Sequence, residues 1–165
     1  MKEQGFGLIE LMIATLIFAG SALVIFGMQS RNIKLTHDVI QRSQAVLLAS
    51  SATELMQINS QGVGAGYYQR LSAEASSNLA SFCVETPKQC ISASCNSQEM
   101  AAFDMYDLMC HQAQKMIDPK INISCSSTPC NQADIVLVKI SWESRAVVES
   151  ASASRQKVEF DFIRN

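Results

Sequence analysis

Hydrophobic positions change rhythm twice along the chain. Leu11 to Met28 is an uninterrupted uncharged run of eighteen residues, long enough for an apolar helix to cross a bilayer, and Arg31 and Lys34 follow it directly. Beyond it a helical period continues. Phe26, Ile33, Ile40, Leu47, Leu55 and Ile58 share one narrow arc at about 100° per residue, with Leu35, Val39, Val46 and Met56 roughly opposite among Arg31, Asp38 and Arg42. The first proline is Pro87, so the pattern predicts one helix from about Phe6 to Asn59, ~80 Å long. Its heptads are too irregular for a coiled-coil stalk. Two apolar faces instead suit one contact with a head domain and one with neighbouring helices. Gly20 and Gly27 loosen the helix locally.

In "QGVGAGYY", Gly62, Gly64 and Gly66 are expected to end this helix. A phosphate-binding loop would need a strand before and a helix after this G-x-G-x-G run, so it reads as a connector, with Tyr67 and Tyr68 packing on the head. A second helix is indicated over Arg70 to Phe82. A stronger one runs from Ser97 to Ile117, burying Ala102, Tyr106, Met109, Ala113 and Met116 and closed by Asp118-Pro119. The period then drops to two. Ile121 and Ile123, then Val136, Val138, Ile140 and Trp142, then Val158, Phe160 and Phe162 alternate with polar residues. Three such strands predict an antiparallel sheet whose apolar face the long helix can cover, with a loop over Ser144 to Ser154. The fold class is α+β: a long N-terminal helix packed on an antiparallel β-sheet head.

Composition narrows the chemistry. The 165 residues suffice for one modest head plus an elongated part. A net charge of −2 and no Lys/Arg cluster leave no direct nucleic-acid site evident. All six cysteines, Cys83, Cys90, Cys95, Cys110, Cys125 and Cys130, lie in the second half, which predicts three disulfides and an oxidising compartment. Fifteen pairings are possible. A zinc site using Cys110 and His111 competes, but no CxxC pair is present. Cys125 and Cys130 flank "SSTP" and are expected to bridge that turn. Cys83 with Cys90 and Cys95 with Cys110 are the preferred remaining pairs. The latter requires Cys95 to fold back from a preceding loop, since within one straight helix the two would be ~22 Å apart. His37 and His111 have no nucleophile and orienting partner in view, so neither an enzyme nor a cofactor is expected.

One residue remains unexplained by folding alone. Glu10 is the single charge between Gly5 and Met28. An ordinary secretory signal cleaved near Ala19 to Ala22 does not account for it: the apolar run continues through Leu23 to Phe26, and an acid is unhelpful at the start of such a signal. Gly5-Phe6-Gly7-Leu8-Ile9-Glu10-Leu11 resembles the processing motif of type IV pilins and pseudopilins. The resemblance implies cleavage between Gly5 and Phe6 by a prepilin peptidase, methylation of the new Phe6 amine, and a type IV pilin fold. It divides the chain into a leader (1–5), a transmembrane and filament-core helix (6–28), its continuation (29–60) and an α/β head (61–165). A buried carboxylate costs up to ~2.5–3.5 kcal/mol on insertion scales. The terminal amine of an incoming subunit can offset that cost, which makes Glu10 the docking charge for assembly.

Further along, "RSQAVLLASSATELMQIN", "MAAFDMYDLMCHQAQKMI" and "CSSTPCNQADIVLVKISW" resemble stretches of PilV-type minor pilins. That likeness implies a low-abundance subunit helping to initiate or cap a type IV pilus, which serves twitching motility, adhesion or DNA uptake. The implied partners are other minor pilins, the major pilin, the prepilin peptidase/methylase, the inner membrane and the assembly platform. The head would stand in the periplasm before assembly and on the pilus at the cell surface afterwards. A minor pseudopilin of a type II secretion system shares the same anchor.

Overall fold

A computed structural model describes residues 7–144 and 155–164. The cleavage pair Gly5 and Phe6, the expected leader, and residues 145–154 of the expected loop lie outside the described residues. Helix α1 runs Leu8–Ile58, proline-free throughout, with Glu10 in its first turn. Two compact units meet within it, one up to His37 and one from Asp38 onward.

In the first unit the helix is bare. Leu8, Leu16, Phe18, Leu23 and Phe26 are all exposed, as are nearly all the residues between them.

The second unit has its own core. Gln41, Ala45, Leu48, Ala49, Ala52 and Met56 form the buried face of α1, and all but Gln41 join Val136, Val138, Ile140 and Trp142 in one cluster. This face corrects the sequence expectation. The stripe of large aliphatics is turned outward: Ile40, Leu47 and Ile58 are exposed, and only Leu55 packs partly against the core. The buried face lies roughly a third of a turn away and is rich in alanine, whose small side chain lets the helix backbone approach the head closely.

After α1 come α2 (Ser60–Gly64), α3 (Tyr67–Ser77) and α4 (Leu79–Phe82). The expected helix over Arg70 to Phe82 is thus two helices, broken at Asn78. The Asn78 side chain accepts from Ser81 N–H at 3.0 Å and starts α4. The three glycines also act differently from expectation, because α1 already ends at Ile58. A Cβ on Gly62 would overlap the Asn59 side chain that caps α2, and one on Gly64 would overlap the Arg164 guanidinium. Only Gly66, at φ +75°, makes the left-handed break.

Helix α5 (Ser97–Tyr106) opens with a capping box formed by Asn96 and Glu99. It continues as a π-helix over Asp107–Gln112 and a 3-10 turn over Ala113–Lys115. Its buried residues are Ala101, Asp104, Met105, Leu108, Met109, Cys110, Ala113 and Met116. Met109, Ala113 and Met116 follow expectation, whereas Ala102 and Tyr106 are only half-buried. The wider π-turn inserts an extra residue, so counting back from Met109 at 3.6 per turn lands one position off the buried face.

Strands β1 (Lys120–Cys125), β2 (Ile135–Glu143) and β3 (Arg155–Ile163) form an antiparallel sheet in that order. Three rungs cross its inner face: Ile121–Ile140–Val158, Ile123–Val138–Phe160 and Cys125–Val136–Phe162. These are the alternating apolar positions of the sequence.

Candidate functional site

Among the described residues of the first unit's helix, none is buried. Its most apolar eighteen-residue window has a mean hydropathy of 2.3 and is 0% buried, enough in length and composition to cross a membrane. Glu10 stands in the first turn, its N–H donating to Gly7 O at 3.0 Å, with exposed Leu8, Ile9, Leu11 and Met12 around it. A carboxylate is favourable near a helix N-terminus, and among the described residues none of its oxygens takes a hydrogen bond.

The head is fastened by three disulfides: Cys83–Cys110, Cys90–Cys95 and Cys125–Cys130, with Cα separations of 5.6, 5.7 and 5.6 Å. Cys125 and Cys130 close the "SSTP" turn. The expected pairs Cys83–Cys90 and Cys95–Cys110 are corrected. Cys95 directly precedes the Asn96 cap, so a helix of fourteen residues separates it from Cys110, and the fold-back it would need is absent. Instead Cys90 and Cys95 close a short loop nested within the longer Cys83–Cys110 span. With Cys110 in a disulfide and the His111 Nδ1 3.0 Å from the accepting Asp107 carboxylate, the zinc reading loses its thiolate.

Two polar junctions escaped the sequence reading. At the end of α1, Asn59 caps Gly62 N–H at 3.2 Å while its amide donates to Ser97 O at 2.8 Å and to the Tyr68 hydroxyl at 3.2 Å. Tyr68 in turn donates to Asp104 at 2.5 Å. Burial, opposed by that hydrogen bond and reinforced by the Asp107 charge, raises the Asp104 carboxyl above its ordinary range. Burial and the neighbouring Asp104 likewise push the Tyr68 phenol well above its own. The second junction is Arg164, whose Nε and Nη1 donate to Ser60 O at 3.1 Å and Cys130 O at 2.6 Å. Beside it, Ser127 hydroxyl and Asn131 N–H hold the Asp134 carboxyl below the usual range. Only the capping pattern at Asn59, an Asn at a helix end before a glycine, was available as a signal in the sequence.

These arrangements tie helices to a sheet and carry no reacting set. A long apolar N-terminal helix, an α/β head with a three-stranded antiparallel sheet and three disulfides are consistent with a type IV pilin fold. Residues 27–106 of the chain, 80 of 165, match the family model described as Tt1218-like, type IV pilin Tt1218. No curated protein and no solved structure matches the chain. The matched stretch spans the second half of α1 through α5 and stops before the sheet.

Proposed function

We propose that this chain is a minor pilin: a structural subunit, cleaved between Gly5 and Phe6, N-methylated on Phe6, and anchored in the inner membrane until it joins a pilus. It would help initiate or cap a type IV pilus alongside the major pilin and other minor pilins, drawn from the membrane by the assembly platform. The PilV-like segments support the minor role. The observation that carries the reading is Glu10, a lone acid on an uncovered apolar helix, placed five residues after a Gly-Phe junction. The methylated amine of Phe6 supplies the cation that the carboxylate of an adjacent subunit requires, and the pair is strong in the low-dielectric helix bundle only at one axial register.

Glu10→Ala should remain in the membrane fraction and retain its disulfide-bonded head, yet disappear from sheared filaments. Mass spectrometry of the natively expressed protein should show methyl-Phe6 as its first residue. An intact initiator peptide, or trimming beyond Ala19, would overturn the proposal. Deletion should lower surface piliation. Normal piliation with failed protein export would instead assign the chain to a type II secretion system as a minor pseudopilin.

A further inference from the structure

The two edges of the sheet are unequal. At β1, helix α3 supplies hydroxyls to the outward backbone groups: Ser72 accepts from Ile123 N–H at 3.2 Å, and Ser76 accepts from Ile121 N–H at 3.1 Å and donates to Ile121 O at 2.6 Å. That edge is closed. It also fixes which backbone groups point where. Since Ile121 and Ile123 face α3, the paired register turns Leu137, Lys139 and Ser141 toward β1, and Val136, Val138 and Ile140 toward β3. Along β3 the answering residues are Val158, Phe160 and Phe162, and Arg164 N–H bonding Asp134 O at 2.9 Å continues the alternation. The backbone N–H and C=O groups of Lys157, Glu159 and Asp161 therefore point away from the sheet, and no strand pairs with them among the described residues.

We propose that the outer edge of β3 pairs antiparallel with β3 of a second copy of this chain, about a two-fold axis at Val158. The charge order along the strand specifies that partner. Centring on Val158 sets Lys157 opposite Glu159 of the other copy and Arg155 opposite its Asp161, each twice; Arg155 would turn from its own Asp118 and Glu143 to complete the second set. Sliding the strands by two residues either way puts Glu159 opposite Glu159 or Lys157 opposite Lys157. A charged edge usually repels other strands; here each of those shifted registers sets one like-charge contact against two opposite-charge pairs, so the register centred on Val158, with no like-charge contact, is favoured. Within each copy Glu159 already lies 3.1 Å from both Lys139 and Lys157, so the new pairs extend an alternating ladder across the joined sheets. On the inner face Val158 meets Val158 beside the half-buried Phe160, where a three-stranded sheet leaves the apolar surface incompletely covered. The axis is normal to the sheet. It therefore turns the Asp38–Ile58 part of α1, which packs on the sheet, end for end in the second copy. The heads meet from opposing directions, as between two filaments and not as neighbours in one; this last consequence rests on the pilin reading, the pairing itself does not.

The test uses the full chain in detergent micelles, with mass followed by sedimentation. Wild type should dimerise, and Lys157→Glu and Glu159→Lys should each weaken dimerisation about tenfold or more. An equimolar mixture of the two single variants should restore it as a mixed dimer, because each strand then faces its opposite. Lys157→Pro removes an outward N–H without touching the β2 ladder and should abolish pairing. A monomeric wild type, or a dimer indifferent to all of these changes, would overturn the proposal. Dimerisation without any filament incorporation would leave the pairing standing and sink the pilin reading instead.

Discussion

Asp104 shows how a single side chain couples the head to pH. It accepts from Tyr68 inside a junction that joins α1, α3 and α5 through Asn59, and burial raises its carboxyl above the unfolded value. A raised carboxyl favours the folded state when protonated. Its contribution is therefore complete below the unfolded value of about 3.9 and is lost as pH rises through the higher folded value. Asp104→Asn keeps an acceptor for the Tyr68 hydroxyl and removes the ionisation. The variant should melt above wild type at pH 7, with the gap closing at about pH 4 and below. Thermal denaturation across that range measures it; a constant gap would mean that the charge plays no part. None of this was legible from spacing, because residues 59, 68 and 104 meet only once three helices have packed. The glycines around the junction were legible as a break but not in their separate purposes, since room for Asn59 and for Arg164 depends on where those side chains arrive.

At the scale of elements, the strands were the easiest to read and the helix phases the hardest. Val136, Val138, Ile140 and Trp142 alternate cleanly because one sheet face meets the core and the other meets water. Helix α5 was read one position out because a π-turn leaves no mark in hydrophobic periodicity. Disulfide connectivity was similarly hidden: Cys83 and Cys110 are distant in sequence, and nearest-neighbour pairing favours the wrong partner. The serines of α3 likewise carried no signal in the sequence. In fact Ser72 is fully buried, with its hydroxyl taking the Ile123 N–H and giving to Gln69 O at 2.8 Å. Ser72→Ala leaves that strand N–H buried without an acceptor, a loss of about 1–3 kcal/mol. Chemical denaturation should record the loss. Native-state hydrogen exchange should quicken at Ile123 more than at Val138, which bonds within the sheet.

For the whole molecule the decisive point is that α1 carries two apolar faces with different destinations. Hydrophobicity alone ranks the Ile40–Leu47–Ile58 stripe as the obvious core, yet the head takes the alanine face and leaves that stripe in the open. An aliphatic stripe kept exposed next to a snug small-residue face makes sense if other helices supply its cover, which the proposed pilus core does. The two faces should therefore separate folding from assembly. Ala49 has no accessible surface, so Ala49→Leu must push the helix off the head and should cost about 1–3 kcal/mol. Leu47 lies 64% exposed, and Leu47→Ser should leave the head's melting temperature in detergent within about a degree or two of wild type, as expected for a surface change. In sheared filaments the order should reverse for the folded fraction. Leu47→Ser protein should be depleted relative to wild type when probed by immunoblot, while the Ala49→Leu molecules that reach the membrane folded should still be incorporated. Equal incorporation of Leu47→Ser and wild type would mean that the outward stripe meets no neighbour, and the assembly role would then rest on Glu10 and the first unit alone.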